Sequence, residues 1–230
     1  MAKATKKEIL VSLDVEKAGM MPLKNPIVSI GHCVGDLDGN ILDKGRHNMT
    51  VQWPVEKDFK TNEADQTTID IKDSQKMDYG DFEPICYEEF WSKQPPALIG
   101  LLQDTNRRSF NKCIRLFVNW LNALEQQYPE DTHTIRFLSN NPNYDFGAID
   151  SVLEREVGRL PARCSTSGKY RSCTNPKNML DMLPDNLRAT YDKKITAMHD
   201  HDPANDAEYV YRMYLVALDA KKDLGDQKLL

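Results

Sequence analysis

The run Glu8-Ile-Leu-Val-Ser-Leu-Asp-Val15 constrains the fold more than any other part of the chain. It is apolar almost throughout and rich in β-formers, so it reads as a strand buried on both faces inside a sheet. The run ends in acid, at Asp14 and Glu16. A second β-rich run, Ile27 to Val34, leads through Asp36-Leu-Asp-Gly-Asn40 into a third, Ile41 to Val51. The Asp-Gly step between two such runs predicts a hairpin, so three antiparallel strands are expected to open the fold.

With 230 residues the chain can bury one sizeable core. At about 150 residues per domain, it is expected to form a single domain over 1–230, with 52–90 as a long insertion or loop and short flexible termini. Nineteen aromatic rings argue for a compact fold over disorder. No stretch approaches the roughly 18 uninterrupted apolar residues of a membrane helix. The start, MAKATKKEIL, lacks the apolar core and cleavage site of a signal peptide, which predicts a cytoplasmic protein with no membrane partner. Five cysteines, odd in number and without a CxxC pair, argue against a disulfide framework and a zinc knuckle and fit a reducing compartment. Cys164 and Cys173 flank a polar loop and are expected as two reduced thiols. A formal charge of −5 gives no blanket attraction for nucleic acid, so such binding would need local basic patches or bound metal.

From Gln52 to about Tyr87 the pattern dissolves, with Pro54, Gly80 and Pro84 as breakers. A loop of that length is usually functional or mobile. After Pro95-Pro96 a helical period resumes: Phe110, Cys113, Ile114, Phe117, Val118, Leu121 and Leu124 share one face, and Ser109 is placed to cap. Ile135 to Leu138 reads as a short strand, and the Asn-Asn-Pro-Asn turn after it delivers the chain to Asp145. Phe146, Ile149, Val152 and Leu153 then form a stripe ended by Gly158. From Leu160 to Pro176 the chain is polar and locally basic. The last helix is expected from near Pro203 to about Lys221, with Ala207, Val210, Tyr214 and Ala217 inward and a proline suited to a first turn. This order predicts a mixed α/β layered domain.

Three places carry candidate chemistry. Asp14 and Glu16, two apart on a strand, share a face at roughly 7 Å; they are either two acids at a solvated strand edge or a pair that a hard cation such as Mg²⁺ or Mn²⁺ neutralises. Asp145, opening a helix, is either a cap or one of the acids that converge at the carboxyl edge of an α/β sheet. His201 and Asp206 are five positions apart, a turn of about 500° on a helix, so they cannot share a helical face. If both serve one site, Asp206 lies in the first turn of the last helix and His201 on the loop before it, where a histidine suits a general base near neutral pH. A polar interhelical loop is the plainer alternative.

Taken in order, these pieces resemble the DEDDh branch of the DnaQ-like 3′→5′ exonucleases, in the ribonuclease H-like superfamily. Asp14-Val-Glu-Lys-Ala-Gly19 is similar to that family's Asp-x-Glu-Thr-Thr-Gly, Asn140-Asn-Pro-Asn-Tyr-Asp145 to its His-Asn-x-x-Phe-Asp, and His201 to Asp206 to its His-x4-Asp. Glu89-Phe-Trp-Ser-Lys-Gln94 also resembles the Trp-x-x-Gln segment of a phage exonuclease A-like subgroup. The resemblance implies a ribonuclease H-like fold with a central mixed five-stranded sheet, its first three strands antiparallel, flanked by helices. It implies that Asp14, Glu16, Asp145 and Asp206 hold two divalent cations, Mg²⁺ or Mn²⁺, with His201 as the base. One ion would activate the attacking water and the other steady the leaving 3′ oxygen, releasing nucleoside 5′-monophosphates. Ala18, Met20, Trp91, Asn141 and Tyr144 are the implied substrate contacts. Lys17 and Ala18 stand where the family usually has threonines.

Tyr144, Trp91 and Tyr170 are candidates for base stacking, and Arg163, Lys169, Arg171 and Lys177 for tracking phosphates; core packing and a solvated loop are the alternatives. The implied partner is nucleic acid with a free 3′ end, single-stranded DNA or RNA. No sequence feature indicates a homo-oligomer. The alternatives are an exoribonuclease acting on short oligoribonucleotides or structured RNA ends, and a binding protein that keeps the fold without turnover. All five acid and base positions are filled with the expected types, which speaks against a dead site.

Overall fold

The computed structural model describes residues 6–21, 25–50, 59–60, 68–69, 83–157 and 173–224. Its strands are β1 (Lys7–Lys17), β2 (Ile27–Asp36), β3 (Ile41–Asn48), the two-residue pair β4 (Phe59–Lys60) and β5 (Thr68–Ile69), and β6 (His133–Leu138). Its helices are α1 (Pro84–Glu89), α2 (Pro95–Gln103), α3 (Phe110–Gln127), α4 (Pro142–Val157), α5 (Pro176–Asp181), α6 (Asp185–Asp192) and α7 (Pro203–Asp223), with a 3₁₀ turn at Trp91–Lys93.

The main sheet runs β3-β2-β1-β6. β1 pairs antiparallel with β2 and parallel with β6, and β2 pairs antiparallel with β3. The apolar run is thus a central strand, and its alternating sides face two different layers. Ile9, Val11, Leu13 and Val15 join Ile30 and Val34 in one core with Phe117 and Leu121 of α3 and with Ile149 and Val152 of α4. Leu10 and Cys33, on the opposite face, pack with Ala207, Val210, Tyr211 and Tyr214 of α7. A third cluster seats α5 and α6 on the outer part of α7, through Leu180, Leu183, Tyr191, Met213 and Ala217.

Two glycines let α7 lie close on β2. A Cβ at Gly31 would collide with the carbonyl of Pro203, and one at Gly35 would strike the ring of Tyr211. Between them, the Ser12 hydroxyl of β1 contacts the carbonyls of Cys33 at 3.1 Å and Ala207 at 2.6 Å.

Several expectations change. Among the described residues the sheet has four strands rather than five; the fifth place is marked by a single parallel bridge between Leu138 and Thr174. Of the polar, locally basic segment from Leu160 to Pro176, residues 160–172 lie outside the described residues, as do Gly158 and most of 52–90. The described end of that latter segment is helical, because Pro84, like Pro95, sits in a first turn where its missing N–H costs nothing. Ser109 occupies the N-cap position of α3 but its side chain makes no capping bond. Among the described residues no helix is long and apolar enough to cross a membrane.

Candidate active site

Asp14 and Glu16 leave β1 on the face that α7 covers. Asp206 is buried in the first turn of α7, and Asp145 is buried in the first turn of α4, just past the end of β6. Asp14, Glu16 and Asp206 each bring a carboxylate oxygen within 4.8 Å of the others. Asp145 lines the same cleft of about 340 Å³, together with Phe90, Tyr144, His199 and His201. Four acids from β1, α4 and α7 therefore meet in one place.

Crowding them away from water is electrostatically unfavourable and raises the pKa of three of them. Burial, then the neighbouring Asp206 and Asp145, pushes Glu16 up to about 8. Asp14 is raised well above the ordinary carboxylate range, by burial first and by Glu16, Asp145 and Asp206 after it. Burial also raises Asp145, to about 7, although a hydrogen bond donated by the Ser139 hydroxyl, backbone bonds from Val15 and Asn141, and the charge of Lys17 pull the other way. Close-set oxygen donors whose negative charge lacks water are the surroundings a hard divalent cation favours. The donor set fits Mg²⁺ or Mn²⁺.

The histidines come from the loop before α7. His201 has a φ of 61°, the left-handed region, which costs a side-chain-bearing residue about 1–2 kcal/mol. That turn aims the ring inward: its Nδ1 stands 3.9 Å from Glu16 Oε1 and 3.9 Å from Asp206 Oδ2, and the ring meets Phe90 edge-on at 5.0 Å. His199 comes closer to Asp206, its Nδ1 3.1 Å from the same oxygen, and this hydrogen bond raises its pKa. The loop is tied inward as well. Asp200 donates its N–H to Asp206 Oδ1 at 3.0 Å and accepts from the N–H of Asp202 at 3.1 Å, while the Asp202 carboxylate caps α7 through the N–H groups of Ala204 and Asn205.

Among the expected substrate contacts, Met20 is 67% exposed beside the end of β1, and Asn141 is exposed at the mouth of the cleft. Tyr144 is half-buried in the cleft wall. Ala18 and Trp91 both belong to the core. The Trp91 ring is 1% exposed and donates to the carbonyl of Lys17 at 3.2 Å, so it has no free face for a base. Lys177 is exposed on α5; Tyr170, Arg163, Lys169, Arg171 and Cys164 lie outside the described residues.

Sequence reasoning missed Phe90, and it set His199 aside as the base because only His201 has the family's interval to Asp206. It noted Lys17 only as a departure. Lys17 is 1% exposed, with its ammonium 3.4 Å from the centre of the Tyr144 ring and 3.5 Å from the Met20 carbonyl. Burial lowers its pKa, while Asp145 opposes the shift. A charged residue at a strand end was a visible signal; its burial against Tyr144 was not.

No protein-family model matches the chain, and no curated protein matches it. Solved structures do. The nuclease domain of 3′hExo, a DEDDh family member bound to rAMP, is 12% identical with a TM-score of 0.53 over 93% of each chain. A full-length 3′-exonuclease is 12% identical with a TM-score of 0.54 over 94% of this chain and 84% of its own. The chain has the fold of these nucleases. Exonuclease I of E. coli, in complex with a 5cy-dT13 oligonucleotide, matches 96% of this chain with 42% of its own, at 11% identity and a TM-score of 0.53.

Proposed function

We propose that the chain is a metal-dependent 3′→5′ exonuclease of the DEDDh branch, which removes terminal nucleotides from single-stranded DNA or RNA as nucleoside 5′-monophosphates. The observation that carries this reading is the convergence of Asp14, Glu16, Asp145 and Asp206 in one cleft beside His201. Mutual repulsion among buried acids opposes folding, and a site for cations accounts for it where a structural role does not.

In this reading the four acids hold two divalent cations, Mg²⁺ or Mn²⁺. Once bound, these supply Lewis-acid stabilisation of the charge that develops on the phosphate oxygens. His201 takes the proton from the attacking water, its Nδ1 already facing Glu16 and Asp206. Met20 and Tyr144 flank the terminal base, and Asn141 contacts its backbone. A nuclease of the same fold bound to rAMP supports a site for a nucleoside monophosphate. The whole chain acts as one exonuclease domain with 52–90 as an insertion. Free thiols at Cys33, Cys86, Cys113 and Cys173 fit a reducing compartment such as the cytoplasm.

The test is a time course on matched 5′-labelled DNA and RNA oligomers with Mg²⁺ or Mn²⁺, with and without chelator. Stepwise shortening from the 3′ end that chelator stops is expected. Intact oligomers of both kinds under every metal condition would overturn the reading.

A further inference from the structure

The neighbourhood of His201 is organised from an unexpected side, by the edge strand β3. Cross-strand register sets Asp14, Gly31 and Arg46 in one row, Asp14 opposite Gly31 and Gly31 opposite Arg46, so all three belong to the face that α7 covers. The chain entering α7 is seated on the glycine in the middle of this row, against the backbone of Pro203. Asp14 therefore flanks that entry on one side and Arg46 on the other.

Arg46 engages the loop directly. Its Nη1 forms an ion pair with Oδ2 of Asp202, the residue that follows His201 and caps α7 with its other carboxylate oxygen. Two positions earlier on the same face, Lys44 donates to Asn205 Oδ1 at 2.7 Å and to Glu208 Oε2 at 2.8 Å. Asn205 in turn donates to Asp200 at 3.1 Å. The residues on both sides of His201 are thus tethered, one to β3 through Arg46 and the other to α7 through Asn205 and Asp206. His201, between them, holds a backbone conformation that is unfavourable on its own.

We propose that Arg46 is a positioning residue: through its ion pair with Asp202 it holds His201 in the left-handed turn that aims the imidazole at Glu16 and Asp206. The proposal rests on the exonuclease reading above. Arg46 also stands 4.0 Å from Asp104 Oδ2 and lines a cavity with Glu16 and His201; in the positioning role it acts on the backbone that carries the ring. Freed from Arg46, the loop relaxes toward ordinary φ values, and the ring loses its place while the acids keep theirs.

The experiment compares wild type, Arg46→Ala, Arg46→Lys, Asp202→Asn, His201→Ala and the Arg46→Ala/His201→Ala double variant on a 3′-ended oligonucleotide with Mg²⁺. Asp202→Asn keeps an oxygen to cap the helix while removing the charge that Arg46 pairs with, so it tests the ion pair without uncapping α7. Arg46→Ala and Asp202→Asn are each expected to lower kcat on the order of tenfold to a hundredfold, the scale of a small misplacement of a reacting group. KM and the thermal shift produced by Mn²⁺ stay near the wild-type values, and Arg46→Lys recovers part of the loss. The decisive reading is the double variant: acting through His201, the Arg46 substitution costs less than about twofold once His201 is gone. An active wild type whose kcat is unmoved by Arg46→Ala and Asp202→Asn, or a full Arg46 loss that persists without His201, overturns the positioning role alone. A wild type that degrades no oligonucleotide overturns the exonuclease reading, and the role of Arg46 with it.

Discussion

Nδ1 of His199 stands 3.1 Å from Oδ2 of Asp206, closer than Nδ1 of His201 stands to that same oxygen. Proximity alone would favour His199 as the base. Two features favour His201. His199 is half-exposed and its pKa is raised by the bond to Asp206, so more of it carries a proton at a given pH; His201 faces Glu16 as well as Asp206. His201→Ala should therefore cut kcat on the order of 10²- to 10⁴-fold. His199→Ala should cost less than about tenfold, the scale of a partly exposed ion pair. Steady-state kinetics on one oligonucleotide decide the matter, and the reverse ranking would transfer the base role to His199.

Asp14→Asn removes one of the mutually repelling charges while keeping the side chain's size. Turnover should vanish, because an acid of the cleft is lost. The metal-free protein should nonetheless melt at a higher temperature than wild type at pH 8, by about 2–4 °C for each kcal/mol of relieved repulsion in a chain of this size. Thermal melts in chelator check this; an unchanged or lower midpoint would mean that the crowding of acids carries no cost.

The pH dependence of the metal-free protein follows with a definite sign. Folded Glu16 keeps its proton to about 8 and Asp145 to about 7, whereas unfolded chains release theirs near 4.5 and 3.8. Between those limits the unfolded state binds fewer protons, so stability contributed by these groups falls as pH rises from about 4 to 8. Divalent cations that replace the protons reverse the loss. The increase in midpoint produced by Mn²⁺ should accordingly be larger at pH 8 than at pH 5.5, and an equal increase at both would contradict the linkage.

A second titrating pair lies on the far face of the sheet, under α3. The rings of His32 and His47 are 5.7 Å apart, packed against Trp120 and Phe117, and each has a buried ring nitrogen without a hydrogen-bond partner. Burial lowers both pKa values, that of His47 to about 4, with Asp43 opposing in each case. As pH falls from 6.5 toward 4 the unfolded chain takes up protons first, so this pair destabilises the fold across that window. His47→Leu should flatten the acid limb of the stability curve relative to wild type, the carboxylates being common to both. Parallel curves from denaturant titrations at pH 7 and 4.5 would count against it.

What could be read in advance was what neighbouring residues decide among themselves. The apolar run of β1 announces its own burial, and the Asp36 turn is written in a carboxylate that accepts from the N–H groups of Asp38 and Asn40. The stripe of α7 and the first-turn placement of Pro203 and Asp206 were equally local. The short helices α1, α2, α5 and α6 escaped notice because their prolines look like breakers and because six to nine residues are too few to show a sustained period. Trp91 invited a stacking role since an aromatic residue carries no label saying which partner will cover it; its bond to the Lys17 carbonyl exists only in three dimensions. Arg46 gave no signal at all. A basic residue on an edge strand is ordinary until the loop of Asp202 arrives from the other end of the chain.

The Ser12 hydroxyl has a bearing on the site that its buried position conceals. Its bond to the carbonyl of Ala207 engages the residue directly after Asp206. A cylinder resting on smooth glycines could roll, and each residue's step around α7 is about 100°. The polar peg of Ser12, with the bonds of Lys44 to Asn205 and Glu208, resists that rotation and helps fix the azimuth at which Asp206 points. The strand that supplies two of the acids also indexes the third.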